Sequence, residues 1–428
     1  MTPEQRFERD LPELLTDLLA GPSPDYRDDI VRAAAGIRQR PRWAIPERWL
    51  PMQVEGLVRS QTPPLPWRAL AVMALLVIAI VSALLVIGRP DVRLPPPFGV
   101  AGNGLIAFSA EDERSLLLAD PTTGAIRTIA TIGSKPLFSP DGTHLAYVAG
   151  NGIDPAHLIV ASWDGTRASA LEPALPEGPQ GSLAWSADGR TLLYSHKANG
   201  SLYLYDSTGA NPTEEMSRGD YITAGSFRPP DGRQLLVARS SDLGYDLLLV
   251  SKSGMGGGSR VLEVPGESAT FVGSGGLGPW SWSPDGSRLA VSIPLGADGN
   301  GRRIVVVNAD GTGAHELTTV DRPVIEELPQ WSPDGTAILF WRLLMDREGA
   351  WIPDAWVVWP LDGGTPLEIQ PTRDLNGPAA LWSPDGRLLL ITNEARDQWR
   401  IIQVEGGAER TIDIKGRGLP SWQRLALP

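Results

Sequence analysis

The chain has 428 residues, with 47 glycines, 39 prolines, 15 tryptophans and no cysteine. The lack of cysteine excludes disulfides, thiolate chemistry and cysteine-ligated zinc. The net charge of −12 comes without a basic stripe, which argues against a nucleic-acid partner, because phosphate neutralisation dominates that kind of binding. Many turn residues and large aromatic rings instead favour a protein built of short strands.

Residues 1–65 predict a short helical leader in the cytosol. Thr2 and Ser23 are each followed by a proline, an order typical of helix starts, and apolar residues then recur at helical spacing. So small a unit buries little surface alone. Its apolar stripes therefore either pack against each other or serve a partner.

Residues 67–89 predict one transmembrane helix. The segment 69–88, ALAVMALLVIAIVSALLVIG, carries no charge over twenty residues, which matches the roughly 30 Å core of a bilayer. It is too long and begins too late for a signal peptide. A buried core helix is the alternative, but such a helix is rarely apolar on every face for five turns.

A slight excess of arginines before the predicted span places the N-terminus in the cytoplasm and the large C-terminal part outside it. The protein is thus expected in the cell membrane with a single span. Residues 90–103 are rich in proline and predict a semi-rigid linker.

From residue 104 to residue 428 one short motif recurs. Three copies read WSPDG, and three looser copies read FSPDG, WSADG and FRPPDG. Their first aromatic residues are 42 to 55 positions apart, the period of propeller blades with four strands each. With one C-terminal copy that lacks the turn, the aromatic anchors are Phe138, Trp185, Phe227, Trp282, Trp331, Trp382 and Trp422.

The two ends of this region predict how the ring closes. Residues from 104 onward supply the second, third and fourth strands of a blade, whereas residues 419–426 resemble a first strand alone. If the C-terminal strand completes the first blade, the result is an all-β, seven-bladed propeller without an open sheet edge.

The pentapeptide suits a tight turn between the first two strands of each blade. Proline presets the backbone, aspartate bonds back to it, and glycine adopts the left-handed conformation. The preceding ring is expected to fill space between blades. The aspartates could instead be metal ligands or acids, but separate blades would hold them apart. The repeat is therefore interpreted as architecture.

These motifs resemble the WD-like repeat of the TolB-type β-propeller family, over about three quarters of the chain. The resemblance implies a periplasmic or extracellular interaction module, some members of the family being fused to serine peptidase domains. The order of leader, single span and outer domain is similar to that of transmembrane anti-sigma factors, which implies a sigma factor as a candidate partner for residues 1–65.

No catalytic constellation is evident, and no cofactor or metal site is predicted. The Gly-x-Ser-x-Gly elbow of a fused hydrolase is lacking, and the four histidines form no metal-binding pattern. The glycine-rich segment 253–259 is interpreted as a flexible connection. A propeller hydrolase or lyase with its site at the central channel is the alternative, but no residues propose a reaction for it.

Binding is expected on the face opposite the SPDG turns, where the irregular loops gather. In the segment 343–353, Trp351 lies beside Arg347 and Glu348, and tryptophan and arginine are favoured interface anchors. Trp341, Trp356 and Trp359 are more readily explained as packing between blades. The segment 318–329 is expected to be another loop of this face, and its acidic residues, Asp321, Glu326 and Glu327, could bind a cationic group. The expected partner is a protein, peptide or glycan.

Overall fold

The computed structural model describes residues 97–110, 115–150, 156–175, 181–196, 201–210, 214–217, 222–241, 244–252, 254–265, 279–295, 301–319, 323–370, 379–392, 399–412 and 416–427. Within these ranges the regular structure is β-strand throughout, as the predicted all-β class requires. They contain no helix long and apolar enough to cross a membrane. The predicted leader and span lie outside the described residues, so the sigma-factor and membrane hypotheses stay predictions.

The described strands form five sheets of four strands and one sheet of eight. The eight-stranded sheet is two antiparallel groups of four, joined where Arg302 of one pairs in parallel with Ile325 of the other. Each four-stranded group is called a blade below, numbered in chain order. Successive strands within a blade pair antiparallel, as in a propeller.

Blade one consists of β28 (Gly416–Leu425), β1 (Gly102–Ala110), β2 (Leu116–Ala119) and β3 (Ile126–Ala130). Blade two consists of β4 (Ser134–Phe138), β5 (His144–Ala149), β6 (Ala156–Ser162) and β7 (Ala168–Leu175). Blade three consists of β8 (Gly181–Trp185), β9 (Thr191–His196), β10 (Leu202–Asp206) and β11 (Glu214–Ser217). Blade four consists of β12 (Ile222–Phe227), β13 (Gln234–Ser241), β14 (Gly244–Ser251) and β15 (Gly254–Pro265).

Blade five consists of β16 (Trp280–Trp282), β17 (Arg288–Pro294), β18 (Arg302–Asn308) and β19 (His315–Glu316). Blade six consists of β20 (Val324–Trp331), β21 (Ala337–Met345), β22 (Trp351–Pro360) and β23 (Leu367–Ile369). Blade seven consists of β24 (Ala380–Trp382), β25 (Leu388–Thr392), β26 (Trp399–Gln403) and β27 (Glu409–Ile412).

The core lies between blades rather than within one sandwich. Second strands such as β21, AILFWRLLM, are nearly continuous apolar runs because both of their faces are covered. Seven apolar clusters each combine residues of two consecutive blades. One of them joins blade seven to blade one, where the rings of Trp399 and Phe108 meet edge to face at 4.7 Å. The blades therefore follow one another around a β-propeller.

The C-terminal strand closes this arrangement. β28 pairs antiparallel with β1, with Trp422 opposite Ile106. It also reaches blade two, because the amide of Phe138 donates to Ser421 Oγ at 3.0 Å. Similar side-chain bonds join other first strands, as where Trp185 Nε1 donates to the carbonyl of Leu137 at 3.0 Å. The first strands thus adjoin one another, on the inner side of the blades.

The SPDG turns adopt the geometry that their residues favour. In blade five, Ser283 Oγ donates to Asp285 at 2.6 Å and accepts the amide of Arg288 at 2.9 Å, while the amide of Ser287 donates to the same carboxylate. The Ser283 hydroxyl lowers the pKa of Asp285, and burial only partly opposes this effect. The glycines that end the six turns have φ between 64° and 74° and are Gly142, Gly189, Gly232, Gly286, Gly335 and Gly386.

The aromatic anchors precede these turns. Phe138, Trp185, Phe227, Trp282, Trp331 and Trp422 are buried, and Trp382 is half-buried. Each aspartate of a turn bonds within its own blade, so the structure does not bring these carboxylates together.

Three predicted loops are partly or wholly strands. Residues 254–259 of the supposed flexible connection belong to β15, β20 begins at Val324 inside the predicted loop 318–329, and β21 and β22 run through most of 343–353. Two of these strands, β20 and β22, contain prolines at 329 and 353, which are typical of loops. Their ladders continue because irregularities absorb the prolines, as at Leu328, whose φ is 57°.

Candidate binding site on the loop face

The strand order defines two faces. The SPDG turns and the turns between third and fourth strands lie on one face, called the SPDG face. The connections between second and third strands, and from one blade to the next, lie on the other, called the loop face. Of the connections on the loop face, the structure describes 131–133 and 346–350 in full. Binding residues tend to lie on connections that a rigid scaffold holds.

Among the described strands, the longest hairpin that ends on the loop face is β21–β22 of blade six, called the long hairpin. Its strands have nine and ten residues, against eight and eight for β13 and β14 of blade four and five and five for β25 and β26 of blade seven. Its ladder continues to the pair of Met345 and Trp351, next to the turn 346–350. Because the hairpin is paired to its end, it extends the sheet as a braced projection.

The turn at the tip is fixed by its own side chain. Asp346 accepts the amides of Glu348 at 2.9 Å and Ala350 at 2.8 Å, and Gly349 adopts a φ of 84°. These bonds hold the backbone of the turn without using its other side chains.

The predicted residues Arg347, Glu348 and Trp351 lie together at this tip. Arg347 and Glu348 are exposed, and Trp351 is half-buried as the first residue of β22 rather than a loop residue. Ile352, which the sequence analysis did not single out, is 46% exposed beside it. An exposed arginine, an exposed glutamate and two accessible apolar side chains thus share one tip.

An ion-pair network braces the base of the long hairpin. Arg342 donates through Nε to Asp354 at 2.6 Å and through Nη2 to Glu368 at 2.7 Å, which joins β21, β22 and β23. Burial lowers the pKa of the Arg342 guanidinium, but its bonds to the two carboxylates outweigh burial and raise it. An arginine inside the apolar run FWRLL is itself a signal that acidic partners must lie nearby.

The tryptophans below the tip pack as expected for structural residues. Trp341 and Trp356 are a cross-strand pair with ring centroids 5.3 Å apart, and both are almost fully buried. Trp359 packs on the other side, in the cluster between blades five and six. The three rings anchor the hairpin to both neighbouring blades.

The predicted acidic residues are placed differently. Asp321 lies outside the described residues. Glu326 was expected in a loop but lies in β20 with no exposed surface, where it accepts Thr318 Oγ1 at 2.6 Å and the amide of Ile304 at 3.2 Å. Burial raises the pKa of Glu326, against hydrogen bonds and Arg303 that lower it. Its carboxylate therefore ties blade five to blade six and does not face a partner.

Glu327 is half-buried on β20, opposite Trp341. Burial raises its pKa, and the nearby charge of Arg302 opposes that effect. The register places Glu326 opposite Arg342, three positions before Met345 along β21. The acidic pair thus belongs to the base of the hairpin and not to its tip.

Side chains that could carry chemistry are dispersed in the described part of the chain. His144 lies beside Thr143 Oγ1, His157 is 3.7 Å from Glu172, and His315 lies beside the carbonyl of Gly313. In the described ranges no group of three or more histidine, aspartate and glutamate side chains could hold a metal ion. The projecting tip, in contrast, brings an exposed arginine, an exposed glutamate and two accessible apolar side chains together.

No protein-family model and no curated protein sequence matches the chain. Solved structures resemble it in fold. A functionally unknown protein from Desulfotomaculum acetoxidans DSM 771 is 13% identical, with a TM-score of 0.50 over 75% of this chain and 99% of that one. TolB from Acinetobacter baumannii is 14% identical, with a TM-score of 0.45 over 76% and 68%. The β-propeller domain of the Trilobed protease from Pyrococcus furiosus is 14% identical, with a TM-score of 0.49 over 75% and 99%. At these identities the likeness concerns the fold alone.

Proposed function

We propose that this protein is a membrane-anchored, extracytoplasmic binding module that captures a protein partner of the cell envelope on the tip of the long hairpin. The propeller acts as a rigid, non-catalytic scaffold, held by a single span at residues 67–89. We also propose that the seven described blades make up the whole ring.

The projecting tip carries this proposal. Tryptophan and arginine provide most of the energy in many interfaces, especially where the backbone beneath them is already ordered. Trp351 and Arg347 meet this condition, because Asp346 fixes the turn and Arg342 braces the base. Ile352 adds exposed apolar surface, and a bound partner would remove this surface from water. The seven-blade count is supported by the seven clusters, the last of which returns to blade one.

Photo-crosslinking in intact cells tests the function. The full chain is produced with a photoreactive residue in place of Glu348 at the tip. A matched chain carries it in place of Thr131, an exposed loop-face residue between blades one and two. The tip should yield a discrete crosslinked species that protease removes and glycosidase leaves, whereas the Thr131 site should not.

Two further changes make the test specific. Trp351→Ala or Arg347→Ala, combined with the probe at Glu348, should lower the apparent affinity for the crosslinked partner at least about tenfold, as expected for interface anchors. Equal crosslinking at both positions, or crosslinking unaffected by both substitutions, would show that the tip is not the binding surface. A species sensitive to glycosidase alone would replace the protein partner with a glycan.

A further inference from the structure

Exposed apolar side chains concentrate on the SPDG face, away from the long hairpin. Among the described residues six large hydrophobic side chains are exposed, and four of them lie on this face around blades one and two. They are Ile126 at the start of β3, Trp163 in the turn after β6, Leu425 at the end of β28, and Leu427. These four residues are called the apolar patch.

A concavity joins two members of the patch, Trp163 and Leu425. Trp163 and Leu425 line one pocket of about 600 Å³, together with Trp422, Leu105 and Leu388. The polar groups at its wall already have partners. Asp120 accepts the amide of Thr122 at 2.7 Å, and Gln423, which is buried, donates to the carbonyl of Gly142 at 2.8 Å. The pocket therefore offers mainly apolar surface to an occupant.

Charges of both signs lie around the patch. Arg127 lies with its guanidinium carbon 5.4 Å from the centre of the Trp163 ring, which brings a cation to the edge of the patch. Asp120, Asp141 and Arg410 line the pocket, and Arg127 donates to the carbonyl of Asp164 at 3.4 Å. A surface with charges of both signs would be held by apolar insertion and not by attraction to negative charge.

The chain enters the propeller on the same face. The amide of Ala101 donates to the carbonyl of Pro384 in the turn of blade seven, and Arg424 Nη2 donates to the carbonyl of Gly99 at 2.7 Å. Seven residues, 90–96, separate the predicted span from the first described residue of this entry, and seven residues reach at most roughly 25 Å. A span at 67–89 therefore keeps the SPDG face near the bilayer.

We propose that the SPDG face is the membrane-facing side of the propeller and that the apolar patch inserts into the interfacial region of the phospholipid bilayer. Trp163 and Arg127 are residue types that favour this region. The loop face then points away from the membrane and presents the long hairpin to its partner. This inference rests on the proposed span.

Site-directed fluorescence tests the inference, and the absence of cysteine from the chain makes single labels simple to place. The full chain is reconstituted in phosphatidylcholine vesicles that contain a lipid with a nitroxide headgroup. A thiol-reactive fluorophore is attached at Leu427→Cys in the patch, Thr365→Cys on the far side of the SPDG face, or Thr131→Cys on the loop face. All three residues are exposed, and Thr365 and Thr131 are the matched controls.

The label at residue 427 should lose fluorescence strongly, the label at 365 less, and the label at 131 not at all. Anionic lipid or added salt should leave this order unchanged, because the patch is neutral. The pair Trp163→Asp and Leu425→Asp should lower quenching at 427 to the level of the label at 365, with an unchanged circular dichroism spectrum showing that the fold survives.

Two results overturn the inference in distinguishable ways. If the chain resists carbonate extraction but the label at 427 is no more quenched than the label at 131, the span stands and the patch is not a membrane contact. If carbonate releases the chain from the vesicles, the span fails, and the inference falls with it.

Discussion

The ion-pair network below the hairpin tip gives a sharp prediction for Arg342→Leu. The Arg342 side chain is 11% exposed, Asp354 is 20% exposed and Glu368 is 46% exposed. Removing one partner of a buried pair costs about 3–5 kcal/mol, because the other charge stays buried and unpaired. Without the arginine, water can solvate the carboxylate of Glu368, so the destabilisation comes mainly from the unpaired carboxylate of Asp354. We expect a loss of about 2–3 kcal/mol in the free energy of opening of the hairpin.

Amide hydrogen exchange of the full chain measures this loss where it occurs. A change of that size accelerates exchange in β21 and β22 by about 30- to 150-fold, if the amides exchange through local opening. The matched control is Arg400→Leu in blade seven, where Nε and Nη2 of the arginine both donate to the single carboxylate of Glu409. Because the Glu409 side chain is 39% exposed, the control should cost only about 0.5–1 kcal/mol.

A triple variant separates the loss of charge pairing from the loss of packing. In Arg342→Leu with Asp354→Leu and Glu368→Leu no buried charge is left, so most of the protection in β21 and β22 should return. If the triple variant exchanges as fast as Arg342→Leu alone, the arginine stabilised the hairpin by packing, and the reasoning from unpaired charge is wrong.

Two other predictions concern stability. In urea unfolding, Gly286→Ala should lower the free energy of unfolding by at least about 2 kcal/mol more than Gly189→Ala. Both glycines have a positive φ, but a Cβ at Gly286 would collide with the carbonyl oxygen of Pro229, whereas a Cβ at Gly189 would meet nothing within 4 Å. Equal losses would contradict this reasoning. Burial raises the pKa of Glu327 in the folded state above its ordinary value of 4.5. The folded state therefore holds this proton more tightly than the unfolded state, and the stability that this provides is lost as the pH rises through the raised pKa. Glu327→Gln should therefore gain stability relative to the wild type at neutral pH but not below pH 4.5, and a gain independent of pH would exclude this cause.

The blade repeat was predictable because each copy encodes its own geometry. The turn residues determine the hairpin, and the aromatic residue before them identifies the first strand. The pairing of β28 with β1 followed from the complementary ends of the repeat region, and the structure contains it. Strand boundaries were harder to predict at Pro329 and Pro353, because a proline ends a regular ladder but is accepted at an irregularity, and sequence does not locate irregularities.

The candidate site was predictable only in part. Arg347, Glu348 and Trp351 are close in sequence, so they lie near one another whichever residues of the two strands are paired. The environment of Glu326 depends on Thr318 and on Ile304 from the neighbouring blade, and no local pattern reveals such a contact. The apolar patch draws on residues of separate blades and both ends of the ring, so it becomes visible only after closure.

Both proposed surfaces lie where the repeat is broken, and this has a physical reason. In a regular blade the serine and aspartate of the turn form hydrogen bonds with each other and with the backbone, and the aromatic ring is buried between blades. These side chains therefore have few free hydrogen-bonding groups and little exposed surface with which to bind a ligand. Contacts with a partner are therefore left to side chains that these bonds do not use. One group lies on the extra length of β21 and β22, and the other lies around the junction where β28 meets β1. A substitution in a regular turn should therefore act through folding, whereas a substitution at the hairpin tip or in the patch should change contacts and leave the fold intact.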